Sequence, residues 1–244
     1  MLEQWWEKIL EVLYPPLCCA CGRTLARDLP FCPDCANKLR LIQPPVCPAC
    51  GLPFAARDGR PATCGRCVRR RPAFRQARAA FVYAQQERDD PLATAVSRFK
   101  YGRLPSLARP LGALLRHAAP MNAYAYDCIV PVPLHPSRLR WRGFNQALLL
   151  ARAAFPAAHV EPFALQRVRA TPPQVELPRK QRLANVHQAF AVRPSHRQRL
   201  ERARVLLVDD VMTTGATLHH CSVALRRAGV ELVDALVLAR AVPS

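Results

Sequence analysis

The sequence predicts an α/β protein: a parallel β-sheet with helices on both faces, preceded by a small cysteine-rich region. Apolar runs such as "VLLV" (205–208) carry no polar alternation, as befits strands buried on both faces. They alternate with helical patterns of about 10–15 residues, a rhythm that selects parallel crossovers. Nine of the eleven cysteines fall before residue 68, eight of them in four C-x-x-C pairs.

Along the chain, "MLEQWWEKILEVLYPP" (1–16) places Trp5, Trp6, Ile9, Leu10 and Leu13 on about one helical face. Three Glu and one Lys on this segment favour packing on the domain behind it over lying on a membrane. Residues 17–72 form the cysteine region. The pairs Cys18/Cys21, Cys32/Cys35, Cys47/Cys50 and Cys64/Cys67 are separated by loops of 10, 11 and 13 residues. Each pair places two thiolates on one knuckle, and two knuckles complete a tetrahedral Zn²⁺ site. Disulfides would need an oxidising compartment, and a redox dithiol needs one pair, not four. Two structural zinc sites are therefore expected, with sequential and cross-braced pairing both compatible with the spacing. Cys19 reads as a spectator, and Cys128 and Cys221 as core residues.

The α/β domain is expected over 78–241. "AAFVYA" reads as a strand, "PLATAVSRFKYG" and "SLARPLGALLRHA" as helices, and "YDCIVPVPLHP" as a strand running into a proline-fixed loop. "GFNQALLLARAAF" is a helix and "ELVDALVLAR" the last strand. On such sheets, loops at the C-terminal edge of the strands gather the ligand.

The densest chemistry lies in "VLLVDDVMTTGATL" (205–218). The strand ends on Asp209 and Asp210, which repel each other without an outside partner. Thr213, Thr214 and Gly215 supply turn chemistry before a helix that closes on Arg226, Arg227 and Gly229. Amides at the head of such a helix attract an anion. The two carboxylates suit sugar hydroxyls or a hydrated Mg²⁺. G-x-x-x-x-G-K-[ST] and G-x-G-x-x-G motifs are absent. The segment resembles the 5-phosphoribosyl-1-pyrophosphate (PRPP) motif of type I phosphoribosyltransferases. The resemblance implies that Asp209 and Asp210 hold the ribose, and that Thr213, Thr214, Gly215, Ala216 and Thr217 cradle the 5-phosphate. "PVPLHPSRLRWRGFNQA" adds a fixed loop with His135, Arg138, Arg140 and Arg142. It suits a second phosphate group, and in type I enzymes a loop at this place binds pyrophosphate, here Pro133, Leu134, His135 and Arg138. The position that carries an acid in hypoxanthine-type enzymes is Thr213, and no base-binding hood is recognisable.

The four C-x-x-C pairs, "FKYG" (99–102), the proline loop, "RVRATPPQVELPRKQRLANVHQAF" and the DD-x-x-TTG segment occur in the order seen in ComF-like proteins. This resemblance spans nearly the whole chain. It implies a type I phosphoribosyltransferase-like domain behind a double zinc ribbon, two Zn²⁺, and Mg²⁺ with PRPP. It implies a mobile loop over PRPP with Gln174, Arg182 and Asn185, although a Pro-, Arg- and Gln-rich stretch also reads as an ordinary exposed loop. It further implies DNA uptake and competence-machinery partners.

The 244 residues carry a formal charge of +19, with 36 basic against 17 acidic residues, and only four of the 36 are lysine. Coding bias explains arginine over lysine but not the shortage of acids, and such a field attracts polyanions. Eight thiolates with two Zn²⁺ still leave about +15. Basic clusters with aromatics, "RCVRRRPAFRQAR" and "SRLRWRGF", make Arg69, Arg70, Arg71, Trp141 and Arg142 candidate contacts for single-stranded DNA. Phe74 and Phe144 are further stacking candidates. No apolar run reaches membrane-spanning length and no signal sequence is recognisable, so a cytoplasmic protein is expected. Two function classes fit: a PRPP-binding protein that handles single-stranded DNA, and an active phosphoribosyltransferase with an unidentified acceptor.

Overall fold

The computed structural model describes residues 15–26, 29–54, 62–84, 89–118, 121–168 and 189–242. The helix expected over 1–16 and the loop with Gln174, Arg182 and Asn185 fall outside these residues, apart from 15 and 16. Among the described residues no helix is long and apolar enough to cross a membrane.

Two short helices, α1 (Pro33–Ala36) and α2 (Gly65–Arg69), belong to the cysteine region. They are followed by β1 (Ala77–Tyr83), α3 (Pro91–Lys100), α4 (Ala108–Ala118), β2 (Cys128–Pro131), α5 (Pro136–Arg142) and α6 (Gln146–Ala154). A small antiparallel pair, β3 (Leu165–Arg167) with β4 (Phe190–Val192), precedes α7 (Arg197–Leu200), β5 (Arg204–Met212), α8 (Ala216–Arg227) and β6 (Leu232–Ala241). The main sheet has the order β1-β6-β5-β2, and each of its pairings is parallel. The central strands β5 and β6 are buried almost end to end, as the unbroken apolar runs require.

Alternation along the strands builds two cores. Val130, Val205, Leu207, Val233 and Val237 pack with Leu218, Cys221 and Leu225 of α8. Ile129, Leu206, Val208, Leu236 and Leu238 pack with Leu92, Val96 and Phe99 of α3 and with Leu111, Leu115 and Leu150 of α4 and α6. The cysteine region joins both cores. Cys18, Leu25, Phe31 and Cys32 belong to the second, whereas Cys47, Cys50, Cys67 and Phe74 belong to the first. The two knuckle pairs thus straddle the sheet, one per face.

The chain between them runs along the outer edge of β1. Leu41 bridges Phe81 in antiparallel fashion, the Ile42 amide donates to the Ala80 carbonyl at 3.0 Å, and the Val82 amide donates to the Arg40 carbonyl at 2.8 Å. This covers a row of backbone groups that would otherwise invite another strand. Arg98 of α3 ties down the first knuckle by donating to the carbonyls of Cys18, Cys19 and Ala20 at 3.3, 3.0 and 3.1 Å.

Local chemistry sets the helix boundaries. Asp90 caps α3, accepting from the Leu92 and Ala93 amides, with Pro91 at the first position. Asn145 caps α6 through the Ala147 and Leu148 amides. Three expectations are corrected. "PSRLRWR" forms the helix α5, because His135 caps its start and Gly143, at φ 86°, ends it in the left-handed region. The strand that begins at "VLLV" continues through both aspartates to Met212, since β6 pairs with it as far as Arg240. The pair β3–β4, which flanks 169–188, was not legible because each strand has only three residues.

Asp234 anchors the entry to the sheet. It is fully buried and accepts from Arg75 Nε (3.0 Å), the Gln76 amide (3.2 Å), Gln76 Nε2 (3.0 Å) and Tyr126 Oη (2.7 Å). Burial alone would raise its carboxyl, but hydrogen bonds from Arg75, Gln76 and Tyr126 outweigh that and hold it below the usual carboxylate range. A depressed folded-state pKa stabilises the fold above the unfolded value and loses that stability as pH falls through the folded one. Asp234→Asn is expected to cost about 1.5–3 kcal/mol at neutral pH, towards the low end because Arg75 is half exposed. Urea melts of both proteins should show the difference shrinking below the unfolded carboxylate pKa, about 3.9.

Candidate functional site

The sulfurs of Cys18, Cys21, Cys32 and Cys35 all lie within 4.8 Å of one another, and so do those of Cys47, Cys50, Cys64 and Cys67. Pairing is therefore sequential, not cross-braced. The Cys21–Cys32 and Cys50–Cys64 sulfur separations are both 3.7 Å. A tetrahedron with Zn–S bonds of about 2.3 Å has edges of about 3.8 Å, so the donor sets fit zinc. Burial pushes the Cys18 thiol up, but backbone amides, that of Cys32 foremost, outweigh it and bring the pKa to about 6; burial and the neighbouring sulfurs push Cys35 up to about 12. Four such thiols ionise together only around a shared cation. Cys19 stands outside the groups, and Cys128 and Cys221 are core residues.

The second feature is a cavity of about 630 Å³ at the C-terminal edge of the sheet. The ends of β1 and β5, the last turns of α3, the proline loop after β2 and helix α5 enclose it. Its lining includes Asp209, Asp210, Thr213, Thr217, Pro133, Leu134, Arg138, Trp141 and Arg142, so residues distant in sequence converge here. Asp209 and Asp210 are buried. The partner that the sequence left open is Lys100, the last residue of α3, which forms an ion pair with Asp210. Burial works against charge on Asp210, yet the Lys100 ammonium, a hydrogen bond from Asp209 and Arg142 outweigh it and lower the carboxyl. Asp209 is pushed well above its ordinary value by burial and then by the charge of Asp210. Its Oδ1 also accepts from the Asp210 amide at 2.9 Å.

The threonine loop divides its contacts. Thr213 and Thr217 face the large cavity, while Thr214, Gly215 and Ala216 face Cys50, Cys67 and Arg69 of the second knuckle. Thr214 Oγ1 accepts from the Ala216 amide at 3.3 Å. Gly215 takes φ 77°, and a Cβ there would lie 2.5 Å from Met212 Cε. In the proline loop the His135 ring turns away from the cavity to cap α5, with Ser137 Oγ 2.7 Å and the Ser137 amide 3.3 Å from Nδ1.

Several expected positions differ. Arg142, expected on an exposed DNA-binding surface, is buried in the cavity wall, where Nη1 donates to Gln146 Oε1 at 2.6 Å. Phe74 is a core residue, and Phe144 stacks on Phe99 with centroids 5.3 Å apart, so neither is free to stack on a base. Trp141 is 48% exposed and stands near Tyr101, centroids 6.3 Å apart, with Arg103 Cζ 4.7 Å from its ring centroid. Arg69 and Arg70 line the second knuckle and Arg71 is exposed beside them.

Lys100, Tyr101 and Arg103 are the site residues that sequence reasoning missed. A signal for Lys100 was available: in a chain whose basic residues are almost all arginine, a lysine inside "FKYG" stands out.

Comparison with known proteins bears on the same residues. The double zinc ribbon domain matches residues 9–68, which contain all four cysteine pairs. Over 239 residues the chain is 32% identical to competence protein F of Haemophilus influenzae, covering 95% of this chain and 93% of that protein. The chain belongs to the competence protein F family. Family relatives include the DNA utilization protein YhgH of Salmonella typhimurium, 33% identical over 92% of this chain and 90% of that protein. Competence protein ComFC of Bacillus subtilis is 27% identical over 84% of this chain and 81% of its own length. Among solved structures, glutamine PRPP amidotransferase from B. subtilis matches at TM-score 0.35 and 21% identity, covering 55% of this chain and 26% of that one.

If both four-cysteine groups hold zinc, atomic absorption on protein purified without added metal should give a ratio near two per chain. Cys47→Ser should remove one zinc and leave the Cys18 group loaded, as sequential pairing requires; loss of both would point to shared ligands.

Proposed function

We propose that this protein binds PRPP in its large cavity and holds single-stranded DNA at the mouth of that cavity, acting in DNA uptake in the cytoplasm with partners of the competence machinery. The observation that carries the reading is the convergence of the acidic pair, Thr213, Thr217 and the proline loop on one cavity whose rim bears the exposed Trp141. Asp209 and Asp210 take the ribose hydroxyls or a Mg²⁺ bound with PRPP, and Thr213–Thr217 take the 5-phosphate at the head of α8. Pro133, Leu134, His135 and Arg138 form the pyrophosphate side. His135 serves there by fixing α5, and Arg138 by its charge on the cavity wall. Names of relatives that refer to competence and DNA utilization support the DNA half of the reading.

Trp141, with Tyr101 and Arg103 beside it, supplies a stacking face for an unpaired base. Arg69, Arg70 and Arg71 supply phosphate contacts. Arg142 moves from the DNA surface to the PRPP cavity, where its charge faces Asp210. A second reading, transfer of the phosphoribosyl group to an acceptor with loss of pyrophosphate, is favoured by the size of the cavity, about 630 Å³, which lies well within the range of small-molecule sites.

Calorimetric titration with PRPP and Mg²⁺ tests the first half. Asp209→Asn is expected to weaken binding by about 1.5–3 kcal/mol, the cost of one charge-assisted hydrogen bond. Gly215→Val should abolish it, because the added side chain meets Met212 on a left-handed backbone. Wild-type PRPP affinity in a variant with Asn at both Asp209 and Asp210 would remove the acidic pair from the site.

Salt titration of DNA binding tests the second half. Single strands should bind better than duplex of equal length. Replacing Arg69, Arg70 and Arg71 with Ser should flatten the dependence of log K on log salt by about 0.7 per lost phosphate contact. Trp141→Ala should cost about 1–3 kcal/mol with little change in slope. Equal binding of both DNA forms together with a silent Trp141→Ala would leave only general polyanion attraction.

A further inference from the structure

A second cavity, of about 260 Å³, opens where the second cysteine knuckle meets the threonine loop. Arg66, Arg69 and Arg240 line it with Gly65 and Thr213, and Thr213 is also a wall of the large cavity. Arg240 lies near the end of β6 and is 1% exposed. Its Nη2 donates to Cys50 Sγ at 3.5 Å. Its Nε and Nη1 are buried and meet no acceptor among the described residues. Leaving such donors unmade costs about 1–3 kcal/mol each, and more on a charged group, so an acceptor that reaches them is stabilised. No described carboxylate forms an ion pair with Arg66, Arg69 or Arg240.

The thiolates of the second knuckle offset part of this positive charge. A four-thiolate zinc group carries two negative charges against three guanidinium groups, and Cys50 is the thiolate that accepts a hydrogen bond from Arg240. The volume exceeds by several-fold the roughly 30 Å³ share of one water. Unmade N–H donors on a guanidinium match the oxygens of a phosphoryl group, which accepts without donating.

We propose that this cavity binds a backbone phosphate of single-stranded DNA through the charges of Arg240, Arg66 and Arg69. The proposal deepens the strand-binding reading above and rests on it. The exposed Arg70 and Arg71 continue the cationic path away from the cavity. Through Thr213 the bound phosphate sets the strand against the wall of the large cavity, which couples strand position to the phosphate loop.

The test uses the zinc-loaded full chain with a fluorescein-labelled oligothymidylate across a salt series. Arg240→Met and Arg66→Ser are each expected to lower the slope of log K against log salt by about 0.7, with the parent's zinc content and PRPP affinity kept. With the large cavity saturated by PRPP, inorganic phosphate should broaden in ³¹P spectra with the wild type and stay sharp with either variant. If Arg240→Met sheds zinc, Arg66→Ser decides alone, since its side chain holds no metal. Wild-type slopes in the zinc-loaded variants, with strand binding intact, overturn this site and leave the strand reading standing. A wild type that binds no strand overturns both, whatever the phosphate spectra show.

Discussion

Asp210 stays charged inside the protein because Lys100 meets it there, and much of the site's geometry follows from that pair. A carboxylate stripped of water and left unpaired costs several kcal/mol. The pair therefore pins the end of α3 to the end of β5, elements separated by about a hundred residues. Once α3 is pinned, Phe99 seats Phe144 at the start of the loop before α6, and Tyr101 comes to stand by Trp141. The cavity is the space left between the pinned helix and the proline loop. The pair also divides the two carboxyls: Lys100 holds Asp210 down, while burial and the charge of Asp210 push Asp209 up.

The cysteine region has a larger role than that of an appendage. Its linker closes the β1 edge, one knuckle completes each core, and the second knuckle backs the threonine loop. Phosphate-binding turns need backbone amides held in one arrangement before the ligand arrives. Here Gly215 lies against Met212 and shares a small cavity with Cys50 and Cys67 of the second knuckle.

The parallel sheet, the helices and both four-cysteine groups were legible because each leaves a local mark: an unbroken apolar run, a capped periodic segment, a fixed cysteine spacing. Asp209, Asp210, Thr213 and Thr217 were legible as a set for the same reason, since they lie within nine residues of one another. Contacts made only in three dimensions left no such mark. Lys100 and Asp210 meet across the sheet, Arg240 reaches Cys50 from the far end of the chain, and Arg142 reads as surface until α5 turns it inward. Phe74 failed for the converse reason: a run of arginines around an aromatic reads as a solvated patch, whereas the ring alone belongs to the core.

One choice of residue shows how narrow the tolerance at the site is. Nearly every basic position in this chain is arginine, yet the ion-pair partner of Asp210 is lysine. A guanidinium forks onto both oxygens of a carboxylate and fills the plane in front of it. An ammonium is a compact point charge that can neutralise Asp210 from one side. That leaves the cavity side of the carboxylate without a guanidinium lying across it. The lysine keeps the carboxylate charged without consuming it.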